Sequence, residues 1–144
     1  MSDKSVLEFL DTNILVYAHD QSAGEKHTAA QDLIRGLWET GNGCLSVQVL
    51  QEFYVTVTRK VARPLPIEDA AEILRDLSFW QVHTPNAEDV LGAIDIQRYY
   101  QVSFWDSMVI HSAKCLGCKV IWSEDLSDGQ AYETMLDRNP FPRS

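Results

Sequence analysis

The chain has 144 residues, 45% of them hydrophobic, and this length and composition suit one domain with a single core over residues 1–144. Twelve lysines and arginines against 21 aspartates and glutamates give a net charge of −9, which as a global field repels nucleic acid. No apolar run approaches the roughly 20 residues of a membrane helix and the first five residues, MSDKS, are polar, so the sequence predicts a soluble, cytoplasmic protein without a membrane segment.

The apolar pattern alternates between short strands and amphipathic helices. Continuous apolar runs predict buried strands at 6–10, 44–45, 79–82 and 119–122. Helical apolar spacing predicts helices from Ile14, from Ser22 to Gly41, from Ser46 to Pro64, from Ile67 to Leu77, from Thr84 towards Tyr99 and from Ser103 to Gly117. The tail that closes on Asn139, Pro140 and Phe141 is predicted to be irregular. Strands that alternate with helices predict an α/β fold, with a parallel sheet covered on both faces.

Two helices carry recognisable end signals. Ser22 and Glu25 have capping-box spacing at the start of the second helix, and Gly41 is placed to end it. Ser46 is placed to cap the third helix. These signals predict the helix boundaries more sharply than the apolar pattern does.

The three cysteines do not form a disulfide framework, because their number is odd. Cys115 and Cys118 make one isolated C-x-x-C pair, and a zinc site would need two more soft ligands nearby. Neither Cys44 nor the four histidines stand at a ligand-like spacing. The sequence therefore favours structural roles for the cysteines over metal or redox chemistry.

Four acidic residues fall where a parallel sheet gathers its ligands. Asp11 follows the first predicted strand and Asp125 follows the strand at 119–122, so both stand at strand carboxyl ends and share one rim of the sheet. Glu52 lies on the helix face opposite the apolar stripe, and Asp106 lies beside the apolar stripe of its own helix. The pattern indicates an acidic cluster.

Each acid also has a simpler explanation. Asp11 suits a helix N-cap, and Asp106 stands three residues after a serine, at capping-box spacing. Glu52 suits a solvated helix face, and Asp125 lies in the turn-forming segment SEDLSDG. Asp128, followed by glycine, is assigned to that turn. Only the set taken together favours a functional site.

A cluster of four carboxylates has a clear chemical meaning. Two carboxylates about 5 Å apart repel by roughly 3 kcal/mol at an effective dielectric near 20, so four need a cation between them. Oxygen ligands without histidine or cysteine fit magnesium or manganese, and such an ion can activate water and polarise a phosphoryl group. The sequence contains no G-x-S-x-G, P-loop, G-x-G-x-x-G or H-E-x-x-H motif. Metal-dependent phosphodiester hydrolysis is the chemistry that this set favours.

Four segments, in order, resemble the PIN domain, specifically the VapC-type toxin ribonucleases of toxin-antitoxin modules. They are LDTNILVYA, SVQVLQEFY, VSFWDSMVIHSA and VIWSEDLSDGQ, with a closing NPF, and they span nearly the whole chain. The most specific feature is the ordered set D-T-N, Q-E-F, W-D-S and S-E-D-L. The resemblance implies a PIN-like three-layer α/β/α sandwich with a central parallel sheet of four or five short strands.

The resemblance also implies a magnesium-dependent endoribonuclease, with manganese as a substitute ion. A metal-activated water would attack the RNA phosphodiester at the cluster of four carboxylates. Asp11 and Asp106 become direct metal ligands, and Glu52 and Asp125 complete the catalytic site through the metal, its waters or the attacking water.

Two further groups of residues accompany this assignment. Asn13 and Ser123 match polar companions of the first and last motifs, so they are expected to support the site. Arg59, Lys60 and Arg63 follow Glu52 near its helix end and are candidates for an RNA-binding strip. Alternatively, these cations simply suit a helix C-terminus.

Partners follow from the resemblance alone. It implies an RNA substrate, a homodimer and a cognate antitoxin protein that covers the active site.

Two other functional classes stay open. A non-catalytic PIN-like module would bind RNA or protein without turnover. A haloacid-dehalogenase-like phosphatase would need a second aspartate at the position of Asn13.

Overall fold

The computed structural model describes residues 6–141, so residues 1–5 and 142–144 of the expected domain lie outside the described range. The strands are β1 (Glu8–Leu10), β2 (Gly43–Ser46), β3 (Gln81–His83), β4 (Val120–Trp122), β5 (Ala131–Tyr132) and β6 (Met135–Arg138). The helices are α1 (Thr12–Ala18), α2 (Glu25–Thr40), α3 (Val47–Arg59), α4 (Ile67–Leu77), α5 (Ala87–Tyr100) and α6 (Phe104–Cys115), with a short 3-10 turn at Gln21–Ala23. This alternation confirms the predicted α/β class.

One sheet joins all six strands of residues 6–141, in the order β3-β2-β1-β4-β6-β5. Five of them run parallel, and β5 pairs antiparallel with β6 at the edge. The predicted central parallel sheet is therefore confirmed. The prediction of an irregular tail is confirmed for Asn139, Pro140 and Phe141, but it is wrong for the segment before them, which supplies β5 and β6.

The order of the strands determines where a cleft can open. The chain runs from β1 outwards to β2 and β3, then returns to the other side of β1 with β4. Right-handed crossovers place α1–α4 on one face of the sheet and α5 and α6 on the other. Helix packing agrees, because α1 contacts α2 and α3, while α5 packs on α6. The strand order reverses beside β1, and the carboxyl ends of β1 and β4 therefore border a crevice.

The central strands are apolar on both faces, as a sheet covered on both sides requires. Phe9, Leu10, Leu45 and Ile121 are fully buried. Phe53 is fully buried on α3 and extends the same core. In the described part of the chain, no helix is both long and apolar enough to cross a membrane.

Two of the predicted helix ends are confirmed. The Ser46 hydroxyl accepts a hydrogen bond from the Val49 backbone N–H (3.3 Å) and caps α3. Gly41 ends α2 with φ of 74°, a left-handed conformation that glycine adopts without steric cost.

Two other local predictions are wrong. Ser22 and Glu25 do not form a capping box, because Asp20 caps the short turn at Ser22 and Gly24 then precedes α2 with φ of 63°. Phe79 lies before β3 rather than in it, and it is 84% exposed. Phe79 continues the apolar run in the sequence, but it lies in the turn that precedes the strand.

Candidate metal centre

Asp11 lies where β1 passes into α1. Its backbone N–H donates to the Trp122 carbonyl (2.9 Å), so the β1–β4 pairing continues up to this residue. One carboxylate oxygen, Oδ1, accepts the Thr12 backbone N–H at 2.7 Å and caps α1. The N-cap explanation of Asp11 is thus confirmed, yet a carboxylate has a second oxygen that can serve a cation at the same time.

Two further carboxylates meet Asp11 at the carboxyl ends of β1 and β4. Asp106 is in the first turn of α6, whose N-cap Ser103 accepts the Asp106 backbone N–H at 3.0 Å. Asp125 follows β4, and the Asn13 side-chain amide donates to its Oδ2 at 2.9 Å. Oxygens of Asp11, Asp106 and Asp125 all lie within 4.8 Å of one another. A single cation can therefore contact all three.

Glu52 stands beside this group and is held by its neighbours. The Thr12 hydroxyl donates to Glu52 Oε2 and the Gln48 side-chain amide donates to Oε1, both at 2.9 Å. Thr12 is the residue whose N–H binds Asp11, so one residue positions two of the four acids. The expected set of four thus comprises three clustered carboxylates and a fourth that is fixed next to them.

The four acids line one cleft of about 510 Å³, called here the acidic cleft. Lys60 and the 61% exposed Trp105 also line it. Arg59 and Arg63 are exposed but are not among the lining residues. Of the three cations predicted to bind RNA, only Lys60 reaches the cleft directly.

Electrostatics in the acidic cleft favour a bound cation. Burial, with a smaller contribution from the negative charges of Asp106, Asp125 and Glu52, raises the pKa of Asp11 to about 7, against the lowering effect of the Thr12 N–H. Burial and Asp106 also raise the pKa of Asp125, while its bond from Asn13 lowers it. A divalent cation would offset the cost of ionising these carboxyl groups and so lower their pKa values. An anionic set of oxygens fits Mg²⁺ or Mn²⁺.

Ser123 does not line the acidic cleft but supports the loop that carries Asp125. It is fully buried, its hydroxyl donates to Asp137 Oδ1 at 2.6 Å, and it accepts the Leu126 backbone N–H at 3.3 Å. These bonds shape the loop that carries Asp125. Asp128 accepts the Asn139 backbone N–H at 3.0 Å, which agrees with its assignment to the turn.

Asp137 and Glu124 are site neighbours that the sequence did not indicate. Asp137 is fully buried on β6, and burial raises its pKa to about 6, with smaller contributions from Asp128 and Asp106. Glu124 accepts the Tyr17 hydroxyl at 2.8 Å and pairs with Lys26. Asp137 could have been found only by predicting β6.

Comparison with known proteins agrees with this fold. The family model described as "PIN domain" matches residues 9–127. A toxin-antitoxin complex from Klebsiella pneumoniae superposes with a TM-score of 0.68 at 13% identity, covering 93% of this chain and 98% of that one. VapC20 of Mycobacterium tuberculosis, described as a sarcin-ricin loop cleaving toxin, gives 0.64 at 20% identity, covering 82% and 89%. A DNA-bound VapBC from Salmonella typhimurium gives 0.64 at 15% identity, covering 94% and 99%.

A search of curated proteins gave no match. The described residues form an α/β domain with an acidic cleft where the strand order reverses, which is the place where open α/β sheets bind ligands. The family match covers far more than half of the sequence, and the chain belongs to the PIN domain family.

Proposed function

We propose that this protein is a magnesium-dependent endoribonuclease and the toxin of a toxin-antitoxin pair. The observation that carries the proposal is the convergence of Asp11, Asp106 and Asp125 oxygens within 4.8 Å at the strand-order reversal. Membership of the PIN domain family and the likeness to VapC20 support it. The activity would take place in the cytoplasm, where RNA is accessible.

The roles of the acids follow from their positions. Asp11 and Asp106 would bind Mg²⁺ directly, with Asp125 beside them, and Mn²⁺ would substitute. Bound there, the ion would polarise a phosphoryl oxygen and lower the pKa of a water. Asn13 would keep one oxygen of Asp125 in place through their hydrogen bond. Because Asp11 carries a raised pKa, it would release its proton when the ion binds.

Glu52 would act on the attacking water. Its two oxygens are oriented by Thr12 and Gln48, and this places an anionic group at the edge of the metal-binding trio. A carboxylate fixed in this way can accept the proton that the water loses on attack.

The RNA backbone would enter along the side of the cleft that carries Lys60, with Arg59 and Arg63 further out. A local cation can contact phosphate even on a protein of net charge −9. A cognate antitoxin covering the acidic cleft would then block substrate, and the active form would be a homodimer. The likeness to the toxin-antitoxin complex from Klebsiella and to VapBC from Salmonella supports an antitoxin partner.

The direct test compares RNA cleavage by the wild type and Asp106→Asn in Mg²⁺, with chelator as a second arm. Asp76→Asn is the matched control, because Asp76 is exposed at the end of α4 and does not line the cleft. We expect cleavage by the wild type and by Asp76→Asn that is lost with chelator, and a loss of at least about 100-fold in Asp106→Asn. Cleavage that survives both changes would refute the metal mechanism. No cleavage of varied RNAs by the wild type would favour a binding module.

A further inference from the structure

A second group of metal-binding side chains lies outside the acidic cleft. It contains His83 at the end of β3, Asp89 in the first turn of α5, and His111 and Cys115 one turn apart on α6. None of these four residues lines the acidic cleft. We call them the histidine-cysteine cluster.

Their ligand atoms lie close to one another around the Asp89 carboxylate. His111 Nε2 lies 2.9 Å from Asp89 Oδ1 and 3.3 Å from Cys115 Sγ, and Cys115 Sγ lies 3.7 Å from Asp89 Oδ1. His83 Nε2 lies 3.5 Å from Asp89 Oδ2. Ligand atoms of His83, Asp89 and Cys115 are all within 4.8 Å of one another.

These separations are close to the edges of a tetrahedral zinc site. Zinc bonds of about 2.0–2.1 Å to nitrogen, 2.0–2.2 Å to oxygen and 2.3 Å to sulfur give ligand separations of roughly 3.4–3.6 Å. The three distances between ligand atoms of His111, Asp89 and Cys115, which are 2.9, 3.3 and 3.7 Å, lie on both sides of that range. His83, whose Nε2 lies 3.5 Å from the other oxygen of Asp89, would supply the fourth ligand.

The surroundings hold His83 and Asp89 in orientations suited to binding a metal. His83 uses Nδ1 to bond the buried Ser112 hydroxyl at 2.8 Å, which leaves Nε2 facing Asp89. The Asn86 backbone N–H donates to Asp89 Oδ2 at 2.8 Å. Metal-binding histidines and carboxylates are commonly fixed by outer bonds of this kind.

Gly92 makes room for the imidazole of His111. A Cβ atom at position 92 would lie 2.5 Å from His111 Cε1, so the ring lies directly against the backbone of α5. The side chains of His83, Asp89 and His111 are only 14–17% exposed. The cluster is thus shielded, with Cys115 at its exposed edge.

We propose that His83, Asp89, His111 and Cys115 form a second metal site, one that takes Zn²⁺. Two nitrogens, one sulfur and one oxygen suit Zn²⁺ and not Mg²⁺, which prefers oxygen alone. A bound ion would join β3, α5 and α6, and α6 is the helix whose first turn carries Asp106. The proposal does not depend on the nuclease function.

The C-x-x-C spacing concealed this site. Cys118 is buried and its thiol interacts with that of Cys44, whereas Cys115 is exposed and faces His111. His111 lies four residues before Cys115 on α6, but His83 and Asp89 come from β3 and α5, so no single linear motif contains all four residues.

The test uses the full, tag-free chain, stripped of metal with chelator, kept reduced and titrated with Co²⁺. Cobalt replaces zinc and reports thiolate ligation by a near-ultraviolet charge-transfer band and tetrahedral geometry by strong visible bands. We expect one such Co²⁺ per chain, displaced by Zn²⁺. Absence of the thiolate band in the wild type would overturn the proposal and leave a hydrogen-bonded cluster only.

Two cysteine variants form a matched pair. Cys115→Ser should abolish the thiolate band, whereas Cys118→Ser should keep it because Cys118 faces Cys44 instead. Persistence of the band in Cys115→Ser would overturn the proposal, as would its loss in Cys118→Ser alone. If Cys118→Ser does not fold, Cys44→Ser tests the same point.

Two more readouts separate this site from the acidic cleft and from loose surface binding. Asp106→Asn should leave the thiolate band unchanged. With the acidic cleft disabled by Asp106→Asn, Zn²⁺ at 100 times its dissociation constant should raise the melting temperature of Asp106→Asn by roughly 5–10 °C and leave that of the double variant Asp106→Asn, Cys115→Ser unchanged. Equal shifts in both proteins, or loss of the band in Asp106→Asn, would contradict a separate site.

Discussion

The acidic cleft and the histidine-cysteine cluster are two ligand sets built by different means. The first gathers oxygen ligands where strand order reverses, so the fold itself brings Asp11 and Asp125 together. The second gathers nitrogen, oxygen and sulfur ligands where β3 and two packed helices meet, so it depends on side-chain packing. Sites of the first kind leave an ordered trace in the sequence, and sites of the second kind do not.

The largest expected effect distinguishes the two sites directly. Asp11→Asn should reduce RNA cleavage by at least about 100-fold, because a neutral amide is a poor ligand for Mg²⁺. Asparagine caps helices well, so α1 should form normally, which far-ultraviolet circular dichroism would check. The cobalt thiolate band should not change. A variant that cleaves RNA at the wild-type rate would remove Asp11 from the site.

A second prediction concerns pH and the metal-free protein. Asp11 has a folded-state pKa near 7, above its ordinary value of 3.8, so the folded state binds more protons between those values. Stability should therefore fall as pH rises from about 4 to 7, by about 2–4 kcal/mol from Asp11. Asp125 and Asp137 shift in the same direction, whereas Asp89 shifts in the opposite one.

Urea unfolding at pH 5 and pH 8 would measure this effect. Subtracting the pH dependence of Asp11→Asn from that of the wild type isolates Asp11, since the variant keeps the other titrating groups. Mg²⁺ should restore stability to the wild type at pH 8 and do little for the variant. Equal pH dependences in the two proteins would show that Asp11 does not have the raised pKa.

A third, smaller effect probes how Glu52 is held. Thr12→Val has the same shape but removes the hydroxyl that donates to Glu52. We expect kcat to fall by roughly 10-fold with KM nearly unchanged, in line with the loss of an outer-sphere partner. Asp11 keeps its bond from the backbone N–H of residue 12, so Mg²⁺ affinity should hold. A change in KM alone would indicate that Thr12 contacts RNA instead.

The smallest expected effect tests the cationic edge of the acidic cleft. Lys60→Glu should weaken RNA binding. It should also reduce the slope of log K for binding against log salt concentration by about 0.7 for each phosphate contact that is lost. Arg59→Glu should do less, because Arg59 does not line the cleft. Lys119→Glu is the control, since this exposed residue precedes β4 at the end away from Asp125. An unchanged salt slope in Lys60→Glu would remove the strip from the proposal.

How far the sequence predicts this molecule depends on the range of the interactions involved. The Ser46 cap and the Gly41 end were predictable, because each is decided within a few residues. The position of Asp11 was predictable because an apolar strand followed by a capping acid is a local signal. The predicted Ser22 capping box does not form, because the Asp20 side chain caps the 3-10 turn by accepting the Ser22 backbone N–H.

Other features depend on contacts that no local pattern encodes. β5 has only two residues, and β6 joins the sheet by pairing in parallel with β4. Asp137 is buried for that reason, and its partner Ser123 lies 14 residues away. The histidine-cysteine cluster joins His83 to Cys115 through the packing of α5 on α6.

The most direct test of the central claim is a crystal structure of the chain grown with Mn²⁺, with an anomalous difference map collected at the manganese edge. The account predicts one strong peak in the acidic cleft, about 2.0–2.2 Å from oxygens of Asp11 and Asp106. The same crystals of Asp106→Asn should lose that peak. A wild-type map without a peak between those carboxylates, at saturating Mn²⁺, would contradict it.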